Sequence, residues 1–260
     1  MTYPKKSLGQ HFLMHRQTAE RIVLAAEVTL ESTVLEIGPG TGILTRALLK
    51  VAKKVIAVEA DTELLPKLQE EFCNEIEEGK LVLIGSDIRI FDPKSIQGSY
   101  LLVANIPYYI TGEIIRQFLG TGHKPSSLTL LVQKEVAVRI ARSTKESLLS
   151  LSVKAYGTPH YRFTVPKGAF FPAPSVDSAV LSITGVKTQA FASNAEEARF
   201  FTILHAGFAH KRKRLAKNLE AIASASAIAN IFAEIGLFPN VRAEDVSLSA
   251  WQLLAQKLSL

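Results

Sequence analysis

The chain has 260 residues, 47% of them hydrophobic, and a formal net charge of +6 with a sequence pI of about 9.3. That length supports one sizeable core, or a core domain with a smaller appendage, and no apolar run approaches the roughly 18 residues that a membrane span needs. A lone cysteine, Cys73, excludes an internal disulfide framework and a multi-cysteine zinc site and points to a reducing cytoplasm, while the modest basicity favours a polyanionic partner.

The N-terminal MTYPKKSLGQHF has two lysines without an apolar stretch behind them, so no secretory signal is expected. Downstream, β-type runs are expected at residues 33–37, 54–58, 81–84, 100–104 and 128–132, with helical patterns at 17–26, 43–51, 62–76, 112–119 and 134–141. Short apolar strands alternating with helices predict an α/β fold with a mostly parallel sheet and helices on both faces. Two further runs, 160–165 and 178–184, flank a Pro-rich loop, and their short spacing suits an antiparallel addition at one edge. Residues 186–195 are polar and small, and from 196 onward the pattern is helical: 196–209, 214–223, 225–235 and 248–258, with Gly236 and Pro239 as punctuation. A catalytic domain over 1–185 and a small all-α domain over 190–260 are therefore expected.

Residues 34–45 read VLEIGPGTGILT: a strand, then Gly38, Gly40 and Gly42, then a helix. Glycines there let the backbone turn tightly and approach a ligand without a Cβ in the way. The dinucleotide fingerprint needs a third glycine at position 43, which is Ile43. The spacing is E-x-G-x-G-x-G with Glu36 ahead of the glycines, and a carboxylate suits a sulfonium and an ammonium better than phosphates. Glu59 ends the second strand 17 positions after Gly42, where an acid accepts from both ribose hydroxyls, and Asp87 follows the third strand. This pattern resembles motif I and its acidic partners in class I methyltransferases, which bind S-adenosylmethionine.

After the fourth strand comes Asn105-Ile106-Pro107-Tyr108. The adenine N6 amine is a poor nucleophile because its lone pair is delocalised into the ring. Two acceptors aimed at its N–H bonds, the Asn105 side-chain oxygen and the Ile106 carbonyl, favour a more tetrahedral nitrogen. Pro107 fixes its own φ and keeps Ile106 out of the α region, and Tyr108 can stack on an extruded base. Together these motifs resemble the ribosomal RNA adenine dimethyltransferase family over nearly the whole chain. The resemblance extends to KKSLGQHFL (5–13), NIPYYIT (105–111) and FFPAPSVDSAV (170–180).

Membership of that family implies transfer of methyl groups from S-adenosylmethionine to N6 of two adjacent adenines in a hairpin near the 3′ end of small-subunit rRNA. It implies cofactor contacts from His11, Leu13, Gly38, Gly40, Glu59, Asp87 and Asn105, with Asp87 meeting the adenine amine of the cofactor. Phe170 is implied as a second aromatic wall opposite Tyr108. The basic stretch HKRKRLAK supplies Lys211, Arg212, Lys213, Arg214 and Lys217 as candidate phosphate contacts, which Lys5 and Lys6 can join. No metal is implied. A monomer acting in the cytoplasm on an immature small subunit is expected. Its nearest rival is a large-subunit rRNA adenine methyltransferase of the macrolide-resistance type, which shares the fold and the N-I-P-Y run. The stretch RAEDVSLSAWQLLA favours the small-subunit branch. A DNA adenine methyltransferase and a non-catalytic binding protein that keeps the fold are further alternatives.

Overall fold

A computed structural model describes residues 4–5 and 8–258. Chain entry is a two-residue strand, β1 (Phe12–Leu13), and a helix, α1 (Arg16–Ala25). The alternating region follows as β2 (Thr33–Ile37), α2 (Ile43–Leu49), β3 (Lys54–Glu59), α3 (Leu65–Glu71), α4 (Cys73–Glu77), β4 (Leu81–Gly85), β5 (Leu101–Asn105), α5 (Thr111–Gly120), β6 (Ser127–Gln133) and α6 (Lys134–Ala141). Then come α7 (Leu148–Tyr156), β7 (Thr158–Val165), β8 (Phe170–Phe171) and β9 (Ser178–Thr184). The last part holds α8 (Asn194–Gly207), α9 (Leu215–Leu219), α10 (Ala225–Glu234) and α11 (Leu248–Lys257).

Seven strands form one sheet in the order β4-β3-β2-β5-β6-β9-β7. The first five are parallel, and β9 runs antiparallel between β6 and β7. The central strands are apolar because both faces are covered: Val34, Leu35, Val55, Leu102 and Val103 are fully buried. Parallel pairing brings Ile37, Glu59, Gly85 and Asn105 to the same carboxyl edge, where ligands of open α/β sheets bind. A separate two-stranded ribbon pairs β1 with β8, Phe12 opposite Phe171 and Leu13 opposite Phe170.

The chain divides into two compact units. One runs through Val138 and includes Gly157–Thr188; the other comprises Arg139–Tyr156 and the chain from Gln189 onward. The predicted break near 185–190 coincides with one crossing, but the helical unit also takes in α7, a segment for which the sequence pattern predicts no element. Contacts within that unit hold α7 and the loop before it: Tyr156 of α7 donates its hydroxyl to Glu197 of α8, while just ahead of α7 Lys145 pairs with Asp245 and the Glu146 amide donates to the Glu244 carbonyl at 2.8 Å, both in the turn before α11. The helix expected over 62–76 breaks at Phe72, whose φ of −115° and ψ of 27° leave the helical region. Its fully buried ring packs under Gly42. The helix expected over 214–223 shortens to the five residues of α9.

Candidate active site

The turn after β2 is built on three left-handed glycines, Gly38, Gly40 and Gly42, with φ of 67°, 59° and 79°. The Gly38 amide donates to the Val58 carbonyl at 2.9 Å, tying the turn to the end of β3. Gly42 is also sterically fixed, because a Cβ there would lie 2.7 Å from the Phe72 ring. A Cβ is thus disfavoured at all three glycines by backbone conformation, and at Gly42 by packing as well. The turn lines one pocket together with residues 8–13, Glu59, Asp87 and residues 105–110.

Four carboxylates gather at or beneath this edge, and their environments differ. Glu59 accepts the Gly40 amide at 3.0 Å and the Asp61 amide at 2.8 Å. Burial pushes its carboxyl above the ordinary range, and those amides partly offset the rise. Each oxygen keeps a lone pair for a further donor. Asp61 is nearly enclosed and accepts from Lys5 Nζ at 2.7 Å, Gln10 Nε2 at 3.0 Å and the Glu63 amide at 3.1 Å. Burial raises its carboxyl, but these donors outweigh it and hold the group below its usual value.

Asp87 is gripped by Arg89, whose Nε lies 3.1 and 3.0 Å from the two carboxylate oxygens and whose terminal nitrogen lies 2.6 Å from one of them. That grip lowers the Asp87 carboxyl. Glu36 is fully buried on β2 and neither of its oxygens has a hydrogen-bond partner. Burial first, then repulsion from Glu59, raises it to about 8; the Thr45 hydroxyl lies close enough to temper the rise without a bond of full geometry.

At the end of β5, the Asn105 Nδ2 donates to the His11 carbonyl at 3.1 Å. A carbonyl only accepts, so the amide nitrogen must face His11 and the Asn105 oxygen must point elsewhere as an acceptor. The His11 Nδ1 lies 2.7 Å from the Pro172 carbonyl, so Nδ1 carries the proton and donates. Its ring stacks on Tyr108, with centroids 5.8 Å apart and planes at 21°. The Tyr108 hydroxyl shares a 2.6 Å hydrogen bond with Ser178, and burial raises its phenol, which stays protonated.

The structure therefore brings His11, Leu13, Gly38, Gly40, Glu59, Asp87, Asn105, Ile106, Pro107 and Tyr108 around one pocket. Phe170 departs from expectation. It is 5% exposed, packs in the core with Phe12 and Leu13, and does not line the pocket. Successive strand residues face opposite ways, so on β8 it is Phe171, 56% exposed, that points outward. The ring set against Tyr108 is His11 instead.

Sequence reasoning missed Gln10, Asp61, Arg89 and Ser178. The first two signal themselves only as a polar residue and an acid beside better motifs. In the helical unit, Lys211, Arg212, Lys213 and Arg214 are exposed on the turn between α8 and α9. Buried Asn218 holds that turn by donating to the Gly207 carbonyl at 2.6 Å and the His210 carbonyl at 3.1 Å. Lys217 is paired with Glu220, and Lys6 lies outside the described residues. Among the described residues, no helix is long and apolar enough to cross a membrane, and no cluster of His, Cys, Asp and Glu is placed to hold a metal ion.

Comparison with known proteins places these features. A family model described as ribosomal RNA adenine dimethylase matches residues 1–259. Curated relatives include the ribosomal RNA small subunit methyltransferase A of Dehalococcoides mccartyi, 42% identical, with 96% of this chain and 87% of the relative covered. The protein of that name in Nostoc punctiforme is 37% identical, with 100% and 96% covered. Among solved structures, the 23S rRNA methyltransferase ErmE is similar in fold, with a TM-score of 0.77 at 24% identity, covering 95% of this chain and 99% of that one. A dimethyladenosine transferase from Plasmodium falciparum superposes with a TM-score of 0.76 at 23% identity, covering 95% and 97%.

Proposed function

The chain belongs to the ribosomal RNA adenine dimethylase family, and from that premise we propose that it transfers methyl groups from S-adenosylmethionine to N6 of two adjacent adenines near the 3′ end of small-subunit (16S) rRNA, giving N6,N6-dimethyladenosine. The single observation that carries the reading is the Asn105 amide, whose nitrogen is committed to His11 at 3.1 Å and whose oxygen is thereby left as an acceptor on the pocket.

The donor set suits a cationic nucleoside. Among the described residues, the ionised side chains lining the pocket are Glu59, Asp87 and an Arg89 already spent on Asp87, so none of them offers a free cation to a pyrophosphate. The cofactor supplies an activated sulfonium methyl, so no base is needed before attack. Glu59 would accept from the ribose hydroxyls, and Asp87 from the adenine amine once Arg89 gives up part of its grip. Leu13 and the glycine turn would wall the remainder.

On the substrate side, the Asn105 oxygen and the Ile106 carbonyl accept from the target amine and localise its lone pair. Pro107, with φ of −56° and ψ of 133°, holds this segment extended. Tyr108, kept neutral and fixed by Ser178 and His11, offers its ring to the unstacked base. Its raised phenol makes it a platform and not a proton acceptor; the proton freed after methylation leaves to water. Rate acceleration is then mainly alignment and electrostatics.

Lys211, Arg212, Lys213 and Arg214 supply phosphate contacts, with Lys217 contributing less because of Glu220. The enzyme acts as a monomer on an immature small subunit in the cytoplasm. Transfer of labelled methyl to unmethylated small subunits, with nucleoside analysis, tests the reading. N6,N6-dimethyladenosine in small-subunit rRNA supports it; labelling of protein-free large-subunit rRNA or duplex DNA in its place rejects it.

A further inference from the structure

We propose that Asp61 is a positioning residue that latches the N-terminal segment across the nucleoside pocket and couples that closure to the ribose-binding carboxylate Glu59. The inference rests on the reading of the pocket as a nucleoside site. Residues 8–13 line the pocket, yet among the described residues ahead of α1 the only strand is the two-residue β1 and no α-helix precedes it. Residues 11–13 are held by Asn105, Pro172 and β8, and the described residues ahead of them need an anchor of their own. Asp61 meets that need through two separate contacts, Lys5 Nζ at 2.7 Å on one oxygen and Gln10 Nε2 at 3.0 Å on the other. The Gln10 side chain also accepts the Lys5 amide through Oε1 at 2.7 Å, so both ends of the segment are tied to one another as well as to Asp61.

The carboxylate is 2% exposed, against 34% for Lys5 and 74% for the second acid, Glu63, that Lys5 reaches at 3.0 Å. A shielded, charge-assisted contact is worth more than an exposed one. The backbone amide of the same Asp61 donates to Glu59 Oε1 at 2.8 Å. One residue thus touches both the strap and the group that would bind the ribose, and displacement of either is felt by the other. Between the two anchors, Gly9 is left-handed at φ 60°, and a Cβ there would lie 3.0 Å from the Tyr109 ring. The strap therefore passes close over the segment that carries Asn105 and Tyr108.

The test is a double-mutant cycle on the full-length protein, using Asp61→Asn and Lys5→Met, with S-adenosylhomocysteine affinity measured by calorimetry. The amide substitution keeps the shape of the anchor and removes its charge; the thioether substitution keeps an unbranched apolar stem and removes the ammonium. Each single variant is expected to bind about tenfold more weakly, and the double variant no more weakly than the worse single. The KM for S-adenosylmethionine should rise while kcat stays within about twofold. Amide exchange of residues 8–13, slowed by ligand in the parent, should be slowed less in both variants. Additive losses, or parent-like affinity in either variant, overturn the latch. Lys5 is on the surface, so its variant folds even where Asp61→Asn does not, and it decides the question alone. A parent that binds no S-adenosylhomocysteine would instead overturn the cofactor reading, and the latch with it.

Discussion

Glu36 is the acid that the sheet accommodates least comfortably. It is fully buried, unpartnered and close enough to Glu59 to feel it, and its carboxyl rises to about 8 from an ordinary 4.5. The folded pKa exceeds the unfolded one, so between pH 4.5 and about 8 the folded chain holds a proton that the unfolded chain has lost. Stability from this group is full below that window and is lost as pH rises through it. Glu36→Gln should remove the dependence: the parent's Tm falls between pH 5.5 and 8, and the variant's falls measurably less, by thermal unfolding in matched buffers. The two curves staying parallel would mean that Glu36 is ionised in the folded state.

Individual residues also define what a sequence can reveal about this site. That the glycine turn, Glu59, Asp87 and Asn105 meet at one pocket was legible because each lies at a fixed offset from the end of a parallel strand. Asp61 was not, since an acid two residues past Glu59 reads as an ordinary turn former. Its meaning comes from Lys5 and Gln10, more than fifty positions away. Phe170 and Phe171 are indistinguishable in composition. Pairing of β8 with β1 decides which of them turns inward, and that contact lies beyond local pattern.

Among the elements, strands were better foretold than helices. β2 and β9 have the expected bounds because continuous apolar runs must be covered on both faces. By contrast, α7 reads LLSLSVKAY and is buried on most of its surface, so it shows no polar face from which a helical period can be recognised. The long helix expected over 62–76 gave way to two because burying Phe72 beneath Gly42 took precedence over continuing the helix.

In α8 the packing makes its own prediction. A Cβ on Gly207 would run into the Trp251 ring and lie 2.8 Å from Leu215 Cδ1. Gly207→Ala should therefore destabilise the helical unit by about 1–3 kcal/mol, the usual cost of overpacking a tight core. Trp251 is the sole tryptophan of the chain, so its fluorescence reports this unit directly. An unchanged denaturation midpoint would mean that α8 and α11 have room to separate without cost.

At the scale of the molecule, the chain leaves the first unit at Arg139, returns at Gly157 and leaves again near Gln189. Composition announced the last of these crossings, because the linker there is polar and small. The earlier excursion was hidden, because contacts such as Lys145 with Asp245 join positions a hundred residues apart. All the proposed chemistry stays in the first unit, and the exposed basic turn belongs to the second. Four charges there, Lys211, Arg212, Lys213 and Arg214, should each release counterions on binding RNA. Replacing all four with glutamine is expected to reduce the slope of log K against log salt by about 3. Methyl-transfer kinetics on saturating substrate should change little. A slope identical to the parent's would remove this turn from the RNA interface.

In the proposed reaction a nucleoside cofactor and an unstacked adenine meet at the carboxyl edge of one sheet, with the Asn105 oxygen aimed at the reacting nitrogen. Single-turnover methylation of unmethylated small subunits by Asn105→Ala, at saturating S-adenosylmethionine, isolates that contact. The rate should fall about 100-fold, the typical cost of removing one preorganised polar contact, while S-adenosylhomocysteine still binds. A variant that methylates at the parent's rate would mean that the Asn105 oxygen takes no part in activating the amine.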